Sequence, residues 1–131
     1  MLTDPIADMI SRIRNAVAVS HEVVDMPASR LKVSIAQILK EEGFIQSYDL
    51  LRAGNHRVLR LKLRYDDSGR PFVKGVKRVS KPGLRVYVQK KEIPRVYAGA
   101  GVAVLSTSQG VMAGQKAWRQ NLGGELMFTI W

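Results

Sequence analysis

Residues 102–112 read VAVLSTSQGVM. Val102, Ala103, Val104 and Leu105 form an uninterrupted apolar run, the pattern of a buried strand. Three small hydroxyl residues, Ser106, Thr107 and Ser108, stop it. Gln109 and Gly110 follow, and the chain then turns apolar again. Gly110 marks a tight turn or a close backbone approach. The hydroxyls are thus expected at the exposed end of a rigid element. Each one donates and accepts hydrogen bonds without carrying charge. In a chain of net charge +10, such a cluster suits the polar edges of a nucleic acid whose phosphates are held by basic side chains.

On the C-terminal side, Gln115–Asn121 is predicted as a short helix. Leu122, Gly123 and Gly124 lead into a last strand over Glu125–Trp131. On the N-terminal side, Gly99 and Gly101 enter the Val102 strand, and Glu92–Tyr97 has the look of a short helical turn. Further back, Ser80-Lys81-Pro82-Gly83 adjoins Pro and Gly and is the candidate boundary. A strand is expected after it, with Leu84, Val86 and Val88 on one face and Arg85 and Tyr87 on the other.

The first 79 residues read differently. Ile6, Met9, Ile10, Ile13 and Val17 fall on one face of an amphipathic helix over Asp4–Val17, with Pro5 at its first position. Glu22–Met26 is a short strand candidate. A second helix is expected over Ser29–Glu42, capped by Ser29 and closed by Gly43. Phe44–Leu51 and Arg57–Tyr65 read as strands joined through Gly54-Asn55, and the second alternates Leu59, Leu61, Leu63 and Tyr65 against Val58, Arg60, Lys62 and Arg64. Asp67-Ser68-Gly69 turns the chain, and Phe72–Val79 is a further strand candidate. The order αβαββ(β) followed by a mainly β segment implies an α+β protein in two small sub-domains, 1–79 and 80–131 with a short helix.

Charge is unevenly spread. The first 70 residues hold 11 basic and nine acidic side chains, whereas Lys74–Arg95 holds eight basic side chains and one acid, Glu92. That bias points to nucleic acid rather than to an acidic protein partner or a membrane surface, the last of which wants a basic amphipathic helix. No apolar stretch approaches the ~18 residues of a membrane span, and the N-terminus lacks a basic signal region. The absence of cysteine excludes disulfides and Cys-type metal sites, and it fits a reducing cytoplasm.

Enzyme chemistry finds little support. His21 and His56 fall in loop or turn regions and form no metal-spaced pair. Ser106 and Ser108 lie in neither a G-x-S-x-G elbow nor an S-x-x-K motif. The adjacent acids Glu41-Glu42 and Asp66-Asp67 are most simply solvated. No cofactor, metal or small-molecule substrate is expected. The remaining alternatives are a double-stranded RNA or DNA module reading shape alone, and a hydrolase using Ser106 or Ser108. Spacing does not choose between solvent and phosphate for Arg12 and Arg14. Trp131 reads as a packing residue, and Trp118 either packs internally or meets a neighbouring protein.

Several motifs occur together: MLTDPIADMISRIRNA, PASRLKVSIAQILKEEGFI, RVSKPGLRVY, GVAVLSTSQGVM and NLGGELMFTIW. In order and spacing the chain resembles bacterial small-subunit ribosomal protein eight over essentially its whole length. The resemblance implies a non-enzymatic constituent of the small ribosomal subunit in the cytoplasm. It implies binding to the central domain of 16S rRNA early in platform assembly, with small-subunit proteins five and twelve as neighbours. Some family members also repress their own mRNA. Carried over motif by motif, the RNA-binding residues are Ser106, Thr107 and Ser108; Gly123, Gly124 and Glu125; and Lys81, Pro82, Gly83, Arg85 and Tyr87. The N-terminal Thr3, Asp4 and Pro5 complete the set, where a helix start can approach phosphate. The chain departs from the family at Gln109, where a Lys is usual, at Ala113, Gly114 and Gln115, and at Trp118, near a usual Arg.

Overall fold

Pro5 opens helix α1 (Pro5–Ala18), whose stripe of Ile6, Met9, Ile10, Ile13 and Ala16 is buried. The computed structural model describes residues 4–131, and the side chains of all of these except Tyr97 and Ala98. The protein is α+β with antiparallel sheets. It divides into two compact units, Pro5–Lys74 and, together with Asp4, Gly75–Trp131.

In the first unit, α1 is followed by β1 (Val23–Pro27), α2 (Arg30–Glu41), β2 (Ile45–Ala53) and β3 (His56–Leu63). The sheet order is β1-β3-β2. Ser29 caps α2, its hydroxyl accepting from Lys32 N at 3.2 Å, and Gly43 ends the helix region at φ +82°. Gly54 at φ +63° makes the two-residue hairpin between Ala53 and His56. Leu59, Leu61 and Leu63 of β3 are buried, while Arg60 faces outward and grips Asp25 through two hydrogen bonds of 2.7 and 2.9 Å. The Arg60 hydrogen bonds hold the Asp25 carboxyl below its usual range, against the opposing effect of burial and helped by the Arg60 charge. Lys32 is buried on α2; its ammonium donates to the Pro27 carbonyl at 3.2 Å and lies 3.6 Å from Asp8.

The second unit contains β4 (Val76–Arg78), β5 (Tyr87–Val88), β6 (Val102–Thr107), β7 (Gly110–Ala113), α3 (Gly114–Arg119) and β8 (Gly124–Ile130). Strand β8 is the centre: β6 pairs along one edge, and β4 and β5 share the other at successive positions. A register shift at Val104/Leu105 bulges β8, so Leu126, Met127 and Phe128 are all buried instead of alternating. Ala103, Leu105, Met112, Ala117 and Leu126 form a core cluster, with Val79, Val86, Val88, Ile93, Val96 and Leu122 packed on it. Helix α3 ends in a Schellman motif. Asn121 sits at φ +57°, Leu122 N donates to Ala117 O at 2.8 Å, and Asn121 N donates to Trp118 O at 3.2 Å.

Three sequence expectations change. The strand over Phe72–Val79 is limited to Val76–Arg78, and Phe72 instead lies under the Arg64 guanidinium, 4.0 Å from its ring centroid. Leu84 is 68% exposed rather than on a buried face. Its backbone pairs back onto Lys81 in a closed turn, which keeps Leu84 out of the strand that Val86 begins to follow. The helical turn expected over Glu92–Tyr97 is two separate 3-10 turns, Lys90–Glu92 and Val96–Gly99.

Candidate nucleic-acid interface

The β6–β7 hairpin tip carries the hydroxyl cluster, but its three members differ. Thr107 faces Gly110 across the hairpin, and its hydroxyl donates to the Gly110 carbonyl at 2.8 Å while accepting from Gln109 N at 3.1 Å. Thr107 therefore builds the turn. Gly110, at φ +108°, supplies a backbone conformation that L side chains rarely adopt. The Ser106 and Ser108 hydroxyls take no hydrogen bond among the described residues, and Ser108 is exposed at the tip. These two retain their full capacity to donate and accept.

The Gly-Gly pair is required by the neighbours it separates. A Cβ at Gly124 would collide with the Ser106 carbonyl oxygen and approach Thr107 Cα to 3.2 Å. A Cβ at Gly123 would run into the Val88 carbonyl and come within 3.0 Å of Gln89 Cα. The start of β8 is thereby wedged between the hydroxyl hairpin on one side and β5 on the other. This brings Tyr87, paired with Glu125, and Ser106, also paired with Glu125, to opposite sides of one residue.

Glu125 is an anchor rather than an outward-facing acid. Its carboxylate accepts a hydrogen bond from the buried Ser80 hydroxyl and one from Arg85 Nη1 at 3.0 Å. Burial pushes its pKa up, but the Ser80 and Arg85 hydrogen bonds and the charges of Arg85 and Arg78 outweigh this and hold it below the usual value. Ser80 Oγ also accepts from Val86 N at 3.2 Å, so one hydroxyl ties both ends of the Lys81–Arg85 segment to β8. Within it, Lys81 and Leu84 exchange two backbone hydrogen bonds of 2.9 Å around Pro82-Gly83. A Cβ at Gly83 would meet nothing, leaving that backbone open to an approaching group. Lys81 and Arg85 are exposed, and Tyr87 is 69% exposed.

The structure thus brings Ser106, Thr107, Ser108, Gly123, Gly124, Glu125, Lys81, Pro82, Gly83, Arg85 and Tyr87 together around the β8 start of one unit. Asp4 instead pairs with Arg78, at 3.2 and 3.3 Å, and Arg78 Nη1 also donates to Met127 O at 2.7 Å. Arg78, counted from sequence among the basic residues, is thereby spent inside the fold. Thr3 lies outside the described residues. Pro5, Arg12 and Arg14 belong to α1 of the other unit. Arg12 is engaged there with Asp8 at 3.0 Å and with the Asp25 carbonyl at 3.0 Å. Trp131 packs over Gly75, whereas Trp118 is 55% exposed.

Sequence reasoning missed Ser80. No local signal marks it, because its partner Glu125 is 45 residues away. Among the described residues no group of three His, Asp or Glu side chains could hold a metal ion, and no helix is long and apolar enough to cross a membrane.

Residues 4–131 match the family described as Ribosomal protein S8. The chain is 60% identical over 131 residues to the Small ribosomal subunit protein uS8 of Dehalococcoides mccartyi, covering 100% of both chains. It is 50% identical to the proteins of that name from Syntrophomonas wolfei and Thermodesulfovibrio yellowstonii, again over 131 residues and at least 99% of each chain. A match of this extent, over a fold carrying the STS hairpin and the Gly-Gly-Glu strand start in contact, means that the chain belongs to the ribosomal protein S8 family.

Proposed function

We propose that this protein is a structural, non-enzymatic constituent of the small ribosomal subunit in the cytoplasm, and that its Gly75–Trp131 unit binds the central domain of 16S rRNA. The observation that carries the reading is the seating of two uncommitted hydroxyls, Ser106 and Ser108, beside a basic turn anchored through Glu125. The names of the full-length relatives support the ribosomal setting. A-form RNA hides its bases in a deep, narrow groove, so site recognition targets distorted regions and the wide minor groove. Short hydroxyls on a rigid hairpin reach such edges without the entropy cost of ordering long side chains. Lys81 and the Gly83 backbone take phosphate, Tyr87 lays its exposed ring on a base or sugar, and Glu125 positions Arg85. In the Pro5–Lys74 unit, the start of α1 at Pro5 is a separate candidate for a phosphate contact, with Arg14 further along the helix. Proteins five and twelve of the small subunit are the expected neighbours, and an mRNA that folds the same RNA structure would be bound and repressed.

Titration against a central-domain rRNA fragment, the protein's own mRNA leader and an unrelated duplex, across a salt series, tests this. A preference of several orders of magnitude for the rRNA fragment over the unrelated duplex, surviving ~200 mM salt, is expected, because purely electrostatic affinity falls steeply over that range, and a leader that folds the same RNA structure shares that preference. Equal, steeply salt-dependent binding to all three RNAs would overturn the reading.

A further inference from the structure

Lys90 and Trp118 meet outside the residues assigned above. Lys90 Nζ stands 4.6 Å from the centroid of the Trp118 ring and donates to Asn121 Oδ1 at 2.6 Å. Asn121 holds the left-handed position that ends α3, so the lysine is tethered to a fixed helix end. A single exposed apolar side chain is ordinary on a protein surface. Trp118 is different: it is 55% exposed, yet an ammonium group is held on its ring. Its neighbourhood in the chain is cationic, with Lys91, Lys116 and Arg119, while the nearby acid Glu92 accepts from Gln89 N at 2.9 Å. The connection from α3 runs directly to the RNA surface proposed above, since Gly123 packs on Val88 and Gln89, the residues just before Lys90.

We infer that Trp118, held by Lys90, is a stacking platform for an unpaired nucleobase of the RNA bound by this unit; the inference rests on the rRNA reading. An indole π-face accepts any base, and a tethered ammonium beside it attracts the adjoining phosphate. The cationic surroundings favour RNA over an apolar or basic protein partner.

Because the chain has two tryptophans, the test uses Trp131→Phe as background, so emission reports Trp118 alone. Binding of the central-domain fragment quenches that emission. Trp118→Ala weakens binding roughly tenfold without changing the salt slope, and Trp118→Phe retains most of the affinity. Trp118→Leu, which keeps apolar bulk without a π-face, loses as much as Trp118→Ala, and thermal melts confirm that each variant folds. Unquenched emission with wild-type affinity in Trp118→Ala and Trp118→Leu would overturn the stacking role while leaving the rRNA reading intact. Wild-type RNA affinity combined with failure of Trp118→Ala to join neighbouring ribosomal proteins would assign a protein contact instead and also overturn it. Absence of any rRNA preference in the unmutated protein would remove both.

Discussion

At the residue scale, three adjacent hydroxyls divide two kinds of work. Thr107 spends its hydroxyl on the hairpin, on Gly110 O and Gln109 N, while Ser108 presents its own at the tip. Thr107→Val is expected to cost about 1 kcal/mol of stability, read by urea denaturation. Ser108→Ala stays within about 0.5 kcal/mol of the parent protein but loses roughly fivefold in specific rRNA affinity, with the salt slope unchanged. Equal effects of the two changes on stability would contradict this division. The glycines separate in the same way. Gly124→Ala forces a Cβ onto the Ser106 carbonyl and should cost about 1–3 kcal/mol. Gly83→Ala places its Cβ in open space at ordinary φ, so stability is kept or rises by up to about 1 kcal/mol. Its RNA affinity falls nonetheless, because the added methyl meets the approaching phosphate.

At the element scale, the Lys81–Arg85 turn is held to β8 by the Ser80–Glu125–Arg85 network. Glu125 has a folded-state pKa below its unfolded value of about 4.5. Its contribution to stability is therefore fully present above that value and is lost as pH falls through the lower folded-state value. Glu125→Gln should flatten the acid limb of the stability curve, measured as urea midpoint from pH 6 to 3. Asp25, also depressed but in the other unit, titrates in both proteins and cancels in the comparison. An unchanged acid limb would remove Glu125 as the anchor. The amphipathic stripe of α1, the Ser29 cap and the leucine alternation of β3 were legible because they are set by residues within a few positions of one another. The shortened β4 and the exposed Leu84 were not, because each depends on a partner that local patterning does not name: Phe128–Ile130 for the first and the closed Lys81 turn for the second.

At the scale of the whole molecule, a net charge of +10 does not say which cations meet a ligand. Lys81 is exposed on the basic turn, whereas Arg78 is committed to Asp4 and the Met127 carbonyl. Lys81→Ala should weaken binding to specific and unrelated RNA alike and lower the salt slope by about one unit, with stability unchanged. Arg78→Ala should leave the salt slope nearly intact and cost about 1–3 kcal/mol of stability, since two internal acceptors lose a donor. Slopes that fall equally in both variants would show that charge acts without regard to placement.

The fold class, the apolar strand that ends in hydroxyls and the cationic bias of Lys74–Arg95 could be read from the chain because periodicity, turn chemistry and charge are properties of neighbouring residues. Which hydroxyl is spent, which arginine is internal, why Gly124 admits no side chain and how Ser80 reaches Glu125 came from the folded molecule. The first depends on the folded geometry of the hairpin turn, and the others depend on contacts between segments far apart in the chain. Pairing along β8 brings these segments together, and no local pattern encodes that register.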